Sequence, residues 1–264
     1  MSWNLLEGAC QVAEDGSPVD HPDRLVAAQA LVRSNDPDIL VINEALWCQP
    51  WEGRHVDYAA RFGFPDSCGK LYDHHWGNVI LSKHPVVACR SFDIYNRGGL
   101  LAEIATPQGV VCVATYHPHP SRWPVNKSQD FVDVAALSTP GKPLFLCGDF
   151  NAISPEDQPD RDRLALAFAR FAKDPVASSA RFVDGGRAVF PRLVEAGLRD
   201  AIPSDSRGHT MPTRLVSEVD DSRMRIDHVW VNRQVLVQAA RVCHDPLADQ
   251  ASDHYPLIVE FSLA

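Results

Sequence analysis

The sequence has no long apolar run, no Cys-x-x-Cys pair and no surplus of basic residues. Because none of its apolar runs approaches the roughly 18 residues of a membrane-spanning helix, we expect no membrane span. The seven cysteines are odd in number and irregularly spaced, which argues against a disulfide framework and favours a reduced, cytoplasmic protein. The first residues also lack a basic segment followed by an apolar core, so no signal peptide is expected.

The charge balance is acidic, with 25 Lys and Arg against 34 Asp and Glu and a formal net charge of −9. Proteins that bind nucleic-acid backbones usually carry a basic surplus, so this balance weighs mildly against a nucleic-acid partner. It does not exclude one, because an acidic protein can hold a basic groove and metal-binding carboxylates add negative charge. With 264 residues, 45% of them hydrophobic, and no linker or repeat, we expect a single, monomeric domain over residues 1–264.

Short apolar runs of β character recur along the chain, and each is too short for a helix. They predict strands at Ile39–Ile42, Val79–Leu81, Val110–Ala114, Leu144–Cys147, Val229–Val231 and Leu257–Phe261. Between them, apolar residues with a 3.6-residue period predict helices at Asp23–Val32, Ser128–Leu137 and Arg161–Ala172. This mixture predicts an α/β fold in which helices cover the sheets.

Polar residues of a few chemical kinds stand at the ends of these strands, where α/β enzymes place their chemistry. They are Asn4, Glu44, His117, Asp149, Asn151, Asp227, Asp253 and His254. The oxygen-rich members of the set suit a hard cation, which favours Mg²⁺ with Mn²⁺ as its substitute. Because Mg²⁺ usually binds only about one or two protein carboxylates, the others would be free to orient a nucleophile or a histidine.

An ordered series of motifs carries a family resemblance. The motifs are Trp3-Asn4, Asn43-Glu44-Ala45, Gly77–Lys83, Thr115-Tyr116-His117, Gly148–Ala152, Arg225–His228 and Ser252–Pro256. Together they resemble the endonuclease/exonuclease/phosphatase superfamily of DNase I-like, metal-dependent phosphoesterases. The resemblance runs from residue 3 to residue 256 and implies a four-layer α/β/β/α sandwich. In this fold two packed mixed β-sheets are flanked by helices, with the site at one end of the sheets.

Two features depart from the usual pattern of the family. Asn43 stands where many relatives carry Gln, which is a mild change because both side chains are amides. Only Met1 and Ser2 precede Trp3, so the strand that carries Asn4 should be very short.

The resemblance implies a metal centre made from three of these residues. Glu44 would be the main metal ligand, helped by Asn4, and Asp253 is also expected near the metal. Asp253 would in addition bond the far nitrogen of a histidine, which we take to be His254, and so fix its tautomer. Whether the site holds one metal ion or two stays open.

The resemblance also implies catalytic roles. Asp149 would orient or deprotonate the attacking water, with Asn151 beside it holding the phosphate or the water. His117 and His254 would contact the phosphate oxygens, where charge accumulates in the transition state. Asp227 would serve a second metal position or orient a catalytic neighbour. Whether Asp149 or a histidine is the general base is left open.

Some of these residues have simpler interpretations. Asn4 or Asp227 alone could be a turn former or a helix cap, and His117 alone could be a buried core histidine. The His117-x-His119 pair could bind zinc, but no third soft ligand is apparent nearby. We expect His74, His75 and His209 in loops, although His209 precedes a Thr-x-Pro region that can lie near the site in this family.

The preferred function is an Mg²⁺-dependent hydrolase, a phosphodiesterase or nuclease, with a phosphate ester as substrate and nucleic acid as one candidate. The alternatives are an enzyme acting on a small-molecule or lipid head-group phosphate, and a catalytically inactive binding module. The inactive module is disfavoured because every key acid, amide and imidazole is present. As nucleic-acid contacts the sequence offers only Arg122 with Trp123, Arg97 and Arg214.

Overall fold

The computed structural model describes residues 1–14, 18–45, 56–72, 76–94, 97–137, 140–216 and 220–264. Cys48 and the expected loop histidines His74 and His75 lie outside the described residues. The strands are β1 (Ser2–Asn4), β2 (Cys10–Val12), β3 (Pro18–Asp20), β4 (Ile39–Ala45), β5 (Asp66–Tyr72), β6 (Trp76–Ser82), β7 (Val86–Ile94), β8 (Arg97–Thr106), β9 (Gly109–Tyr116), β10 (Leu144–Asp149), β11 (Arg199–Asp200), β12 (Asp227–Val231), β13 (Val235–Val242) and β14 (Leu257–Leu263). The α-helices are α1 (Pro22–Asn35), α2 (Tyr58–Phe62), α3 (Pro124–Ala136), α4 (Arg161–Phe168), α5 (Pro175–Glu195) and α6 (Ala248–Ala251).

The larger strands form two six-stranded sheets, and both are mixed. The first has the order β13-β14-β1-β4-β6-β5, and the second has the order β11-β12-β10-β9-β8-β7. β1 runs parallel to β4 and β9 runs parallel to β10, while the other neighbours are antiparallel. The carboxyl ends of the central strands of each sheet therefore lie side by side.

Alternating side chains show why these short runs become strands of the inner layers. In β9, Val111 and Val113 join the core between the sheets, while Cys112 and Ala114 join the core under the helices. Strands β10 and β12 divide their side chains in the same way, with Trp230 of β12 facing the helices. Because a strand points successive side chains to opposite faces, a strand buried on both faces is a continuous apolar run.

Helices cover the outer faces of both sheets. Helix α1 packs with α6, and its Ala28 and Leu31 join the core of the first sheet. Helices α3 and α4 pack against α5, and Phe131 of α3 meets Phe190 of α5 in the core over the second sheet. The predicted four-layer α/β/β/α sandwich is confirmed.

The sequence patterns miss the longest described helix, α5, because three helix-weakening residues lie inside it. Gly185 and Gly186 stand mid-helix and Pro191 follows, and all three weaken a helical pattern. A Cβ on Gly186 would lie 2.4 Å from the carbonyl oxygen of Ile153, so this glycine lets α5 approach the segment after β10 closely. Tertiary packing therefore outweighs local propensity here.

The predicted strands and helices all occur, and β1 is short, with three residues. Among the described helices none is long and apolar enough to cross a membrane. Six described cysteines form no disulfide with one another: Cys10, Cys68, Cys89, Cys112, Cys147 and Cys243. The single domain over residues 1–264 stays a prediction, supported by one core cluster that joins both sheets, and unfolding in a single cooperative transition would test it.

One buried amide joins the two sheets at the end where the polar residues lie. The Asn43 side chain on β4 donates to Asn78 Oδ1 at 2.6 Å and to Thr115 Oγ1 at 3.0 Å. Its Oδ1 accepts the Asp149 N–H at 3.0 Å. Asn78, for which the sequence indicated a structural strand, donates on to the Gly98 carbonyl at 2.6 Å. Every polar group of this bridge is paired, as burial requires.

Gly148 leaves room for this amide bridge. Its φ is +135°, and a Cβ there would lie 2.6 Å from Asn43 Oδ1 and 3.0 Å from Thr115 Oγ1. We expect Gly148→Ala to lower the free energy of unfolding by about 1–3 kcal/mol more than Gly141→Ala. Gly141 also has a positive φ of +84°, but a Cβ there meets nothing within 4 Å. Urea unfolding of both variants measures the difference. Equal losses in the free energy of unfolding would show that the amide bridge does not need the space left by Gly148.

Candidate active site

The predicted site residues converge where strands of both sheets end. Asn4 ends β1, Glu44 lies near the end of β4, and Asp149 ends β10. Asp227 begins β12, but β12 is antiparallel to β10 and its register places Asp227 directly opposite Asp149. His117 follows β9, and His254 lies three residues before β14. The topology thus brings residues far apart in sequence to one end of the sandwich.

Asn4 and Glu44 form one side of the site. Asn4 Nδ2 donates to Glu44 Oε1 at 3.1 Å and to Asp149 Oδ2 at 3.1 Å, while its Oδ1 accepts the Leu6 N–H at 3.1 Å. Asn4 therefore orients the two carboxylates in this arrangement, and its predicted role as a metal ligand would require the amide to turn. Glu44 has a φ of +55° at an irregularity in the pairing of β4 with β6, a strained conformation that aims its side chain inward.

Asp149 is the centre of the site. Its Oδ2 lies 3.4 Å from His117 Nε2 and 4.0 Å from His254 Nε2, and its Oδ1 accepts the Asn151 N–H at 2.8 Å. Burial raises the pKa of the Asp149 carboxyl, but the charge and hydrogen bond of His117 and the charge of His254 outweigh it and hold the pKa below its usual range. Asp149 is therefore ionised at neutral pH.

The partner of His254 is Asp227, not Asp253 as expected from the sequence. His254 Nδ1 lies 2.7 Å from Asp227 Oδ2, whereas the Asp253 carboxylate accepts from Ser252 Oγ at 3.4 Å. Neighbouring residues of an irregular segment point in different directions, so His254 turns inward to β12 while Asp253 stays half-buried at the rim. Burial lowers the pKa of His254, but the charges of Asp227 and Asp253 raise it well above its usual value.

Asn151 is held by its surroundings in an unusual conformation. Its φ is +46°, its Nδ2 donates to the Pro118 carbonyl at 3.1 Å, and its own carbonyl accepts from Lys127 Nζ at 2.7 Å. Lys127 is buried, and this burial lowers its pKa to about 8. The buried amino group of Lys127 therefore holds the segment that carries Asn151 through this hydrogen bond.

Sequence reasoning missed Lys127 and Thr210 as parts of the site. The sequence pattern placed Lys127 just outside a predicted amphipathic helix, where a lysine suggests a solvated side chain. Thr210 Oγ1 accepts the N–H groups of Ile226 and Asp227 at 3.1 and 3.2 Å, so it anchors the start of β12. The Thr-x-Pro context after His209 is the one sequence signal that pointed to this segment.

The donor set fits a hard divalent cation. In the described part of the chain, Asp149, Asp227 and His254 are the one group of three or more metal-binding side chains, with donor atoms within 4.8 Å of one another. Glu44 lies beside this group, and burial raises its pKa, as the charge of Asp253 also does. Carboxylates crowded together in a buried place repel one another, and a bound cation relieves that repulsion.

The alternative zinc pair is not supported by the geometry. His119 Nδ1 lies 2.7 Å from Ser121 Oγ and accepts the Ser121 N–H at 3.1 Å. His117 points instead to Asp149 and Glu44, at 3.4 and 4.0 Å. Among the described residues the two histidines therefore do not share a metal-binding group.

Comparison with known proteins gives the family and the fold of the chain. The sequence profile described as the Endonuclease/Exonuclease/phosphatase family matches residues 1–254. The fold is similar to an endonuclease/exonuclease/phosphatase from Beutenbergia cavernae DSM 12333, with a TM-score of 0.65, 21% identity, and coverage of 100% of this chain and 70% of that chain. It is also similar to an AP endonuclease from Archaeoglobus fulgidus, with a TM-score of 0.68, 19% identity, and coverage of 91% and 95%.

A third similar structure is a 3'-5' exonuclease (NExo) from Neisseria meningitidis, with a TM-score of 0.65 and 19% identity. The match covers 99% of this chain and 98% of that chain. A sequence comparison with curated proteins finds no match. At these identities the structural likeness establishes the fold, and the family profile extends over nearly the whole chain.

The Asp227–His254 pair makes a direct prediction. In metal-free protein, Asp227→Asn should lower the pKa of His254, because it removes the largest compensating charge while burial remains. Asp253→Asn should lower the pKa of His254 less than Asp227→Asn does. In the presence of metal, the activity of Asp227→Asn should fall about 10–100-fold. An NMR pH titration of the His254 imidazole in EDTA measures the shifts. A larger shift in Asp253→Asn would contradict the assignment of Asp227 as the partner.

Proposed function

Because the chain belongs to the endonuclease/exonuclease/phosphatase family, whose members are phosphoester hydrolases, we propose that it is an Mg²⁺-dependent phosphodiesterase of the nuclease type. The observation that carries the proposal is the buried cluster at the joint end of the two sheets. It combines the Asp149 carboxylate, the His117 and His254 imidazoles, and the Glu44–Asn4 pair within hydrogen-bonding or ion-pairing distance. A binding module would have no reason to bury so many polar groups together.

In this proposal Glu44 is the main residue that holds the metal, and Asp253 is beside it. The buried Asp149 and Asp227 carboxylates offer further oxygen donors. When bound, Mg²⁺ would neutralise phosphate charge and make the attacking water more acidic. We favour Mg²⁺, with Mn²⁺ as its substitute, because the donors are oxygen-rich and the described cysteines lie away from the cluster.

The chain's own residues then position the reactants. A phosphodiester is anionic, so catalysis depends on positive donors at its oxygens and on a water placed in line with the leaving group. Asp149, being ionised, accepts a hydrogen bond from that water and orients it. His254, kept protonated by Asp227, donates to a non-bridging oxygen where charge accumulates. His117 donates from the other side, and Asn151 presents its amide to the phosphate.

Several similar structures support a nucleic-acid substrate. They are named as an AP endonuclease and a 3'-5' exonuclease, and another is a TDP2 complexed with single strand DNA product. The second candidate is a small-molecule or head-group phosphatase, which the net charge of −9 favours. We infer the nuclease branch from these likenesses. We further propose a monomeric enzyme, and a cytoplasmic one because the described cysteines form no disulfide with one another.

The reaction class is tested by assaying one preparation on four substrates. These are single- and double-stranded DNA, an aryl phosphodiester and an aryl phosphomonoester, each with Mg²⁺, Mn²⁺ or EDTA. We expect cleavage of DNA and of the diester that EDTA abolishes and Mg²⁺ restores. Cleavage of the monoester alone would move the enzyme to the phosphatase branch.

Glu44 gives the sharpest test of the metal. Glu44→Gln should lower metal-dependent turnover by at least about 10²-fold and weaken Mg²⁺ binding measured by calorimetry. Metal-free Glu44→Gln should be no less stable than wild type, since burial disfavours the charged form of Glu44 and raises its pKa. Glu260→Gln is the matched control, because Glu260 is exposed on β14 and pairs only loosely with Arg241 at 3.8 Å. Unchanged Mg²⁺ affinity in Glu44→Gln would refute the assignment.

A further inference from the structure

A large cavity opens directly beside the cluster. Its volume is about 620 Å³, and it lies between the loop after β9 and the helices α3, α4 and α5. Asn151 and Lys127, which belong to the wall of the candidate site, also line this cavity. Any group attached to a phosphate at Asn151 therefore has this space within reach.

Aromatic rings form much of the cavity wall. Trp123, immediately before α3, is 74% exposed. So much exposed apolar surface on a large aromatic side chain is typical of a binding site. On the other side stand Phe168 and Phe182, whose rings lie 5.7 Å apart. Phe168 and Phe182 are half-buried, so the exposed indole of Trp123 offers the open aromatic face, the kind of surface on which planar rings stack.

Cationic and polar groups complete the lining. Arg122 is held against Asp130 by two hydrogen bonds, at 2.8 and 2.9 Å, so its guanidinium has a fixed position. Arg181 on α5 is exposed and donates to Ser178 Oγ at 3.2 Å, and Asp184 lies one turn further along. The cavity thus offers ring faces, positive charge and hydrogen-bonding groups of both kinds.

We propose that this cavity is a base-binding subsite, which takes an unpaired nucleobase of the nucleotide whose phosphate lies at Asn151. The proposal rests on the proposed phosphodiesterase function and names its substrate class as single-stranded nucleic acid or a free nucleotide. A base has a π-face for Trp123 and polar edges for Arg181 and Asp184. A base that is stacked and paired within a duplex cannot enter a cavity.

Other phosphate esters fit this lining less well. A lipid tail has no hydrogen-bonding groups for the polar part of this lining, and a cyclitol ring has no π-face for Trp123. The sequence offered three basic candidates for substrate contact. Arg97 is buried, and Arg214, whose Nε lies 3.6 Å from Asp249 Oδ2, does not line the cavity. Arg122 with Trp123 is the pair that borders it.

The test is a binding comparison that needs no turnover. Calorimetry in EDTA compares adenosine 5′-monophosphate, ribose 5-phosphate and phenyl phosphate on the full chain. We expect the nucleotide to bind about tenfold or more tightly than ribose 5-phosphate, the ratio that one stacked base supplies. Trp123→Ala should remove most of this ratio, and Arg181→Ala should reduce it.

Matched controls separate stacking from general damage. Val125→Ala removes an exposed apolar side chain from α3, and Arg192→Ala removes an exposed cation from α5, and neither residue lines the cavity. Both should leave the ratio unchanged, and thermal unfolding of all four variants checks that each is folded. Equal affinity for the nucleotide and ribose 5-phosphate, no detectable nucleotide binding, or tighter binding of phenyl phosphate would overturn the subsite.

The same variants separate the subsite from the proposed function. If wild type shows the binding ratio but cleaves no phosphodiester, the proposed function fails and the subsite stands. If it cleaves single-stranded DNA without the ratio, the subsite fails and the function stands. In a cleavage assay the subsite also requires that an abasic residue next to the scissile phosphate lowers kcat/KM in wild type but not in Trp123→Ala.

Discussion

The site depends on the burial of one negative charge, the carboxylate of Asp149. An isolated buried carboxylate costs several kcal/mol, and it persists only when neighbouring groups compensate it. Here the compensation comes from His117 at 3.4 Å, His254 at 4.0 Å, the Asn4 amide and the Asn151 N–H. These four groups come from four separate parts of the chain, so the two sheets must be packed before the charge is stabilised. The chemistry and the fold therefore share one electrostatic requirement.

The amide bridge of Asn43 connects the two sheets beside Asp149. Its carboxamide lies between the sheets, with Thr115 and the Asp149 N–H on the side of the second sheet. The close approach requires that residue 148 lack a side chain, and it fixes the backbone on which Asp149 stands. A site made by two sheets can keep sub-ångström geometry only if their separation is fixed near the reacting groups. A fully paired buried amide fixes both the separation of the sheets and their relative orientation, because its hydrogen bonds are directional.

Much of this arrangement is predictable from sequence, for a physical reason. The inner strands are buried on both faces and appear as short apolar runs, and the polar residues at their ends stand out against them. The pairing of His254 with Asp227 is not predictable in this way, because it depends on the register of β12 against β10. Sequence proximity suggested Asp253, which is adjacent along the chain but points elsewhere. Lys127 escaped notice because a lysine beside a helical pattern suggests a solvated side chain.

The same distinction separates the candidate site from the cavity beside it. The polar residues of the candidate site stand at strand ends, where topology decides which residues meet, and motif order preserves that information. The cavity beside Asn151 is made instead by α3, α4 and α5, and its shape depends on how closely α5 approaches the segment after β10. That approach is set by Gly186 against Ile153, two residues with no chemistry of their own. Helix packing can therefore reshape the wall of this cavity while the polar residues at the strand ends stay in place.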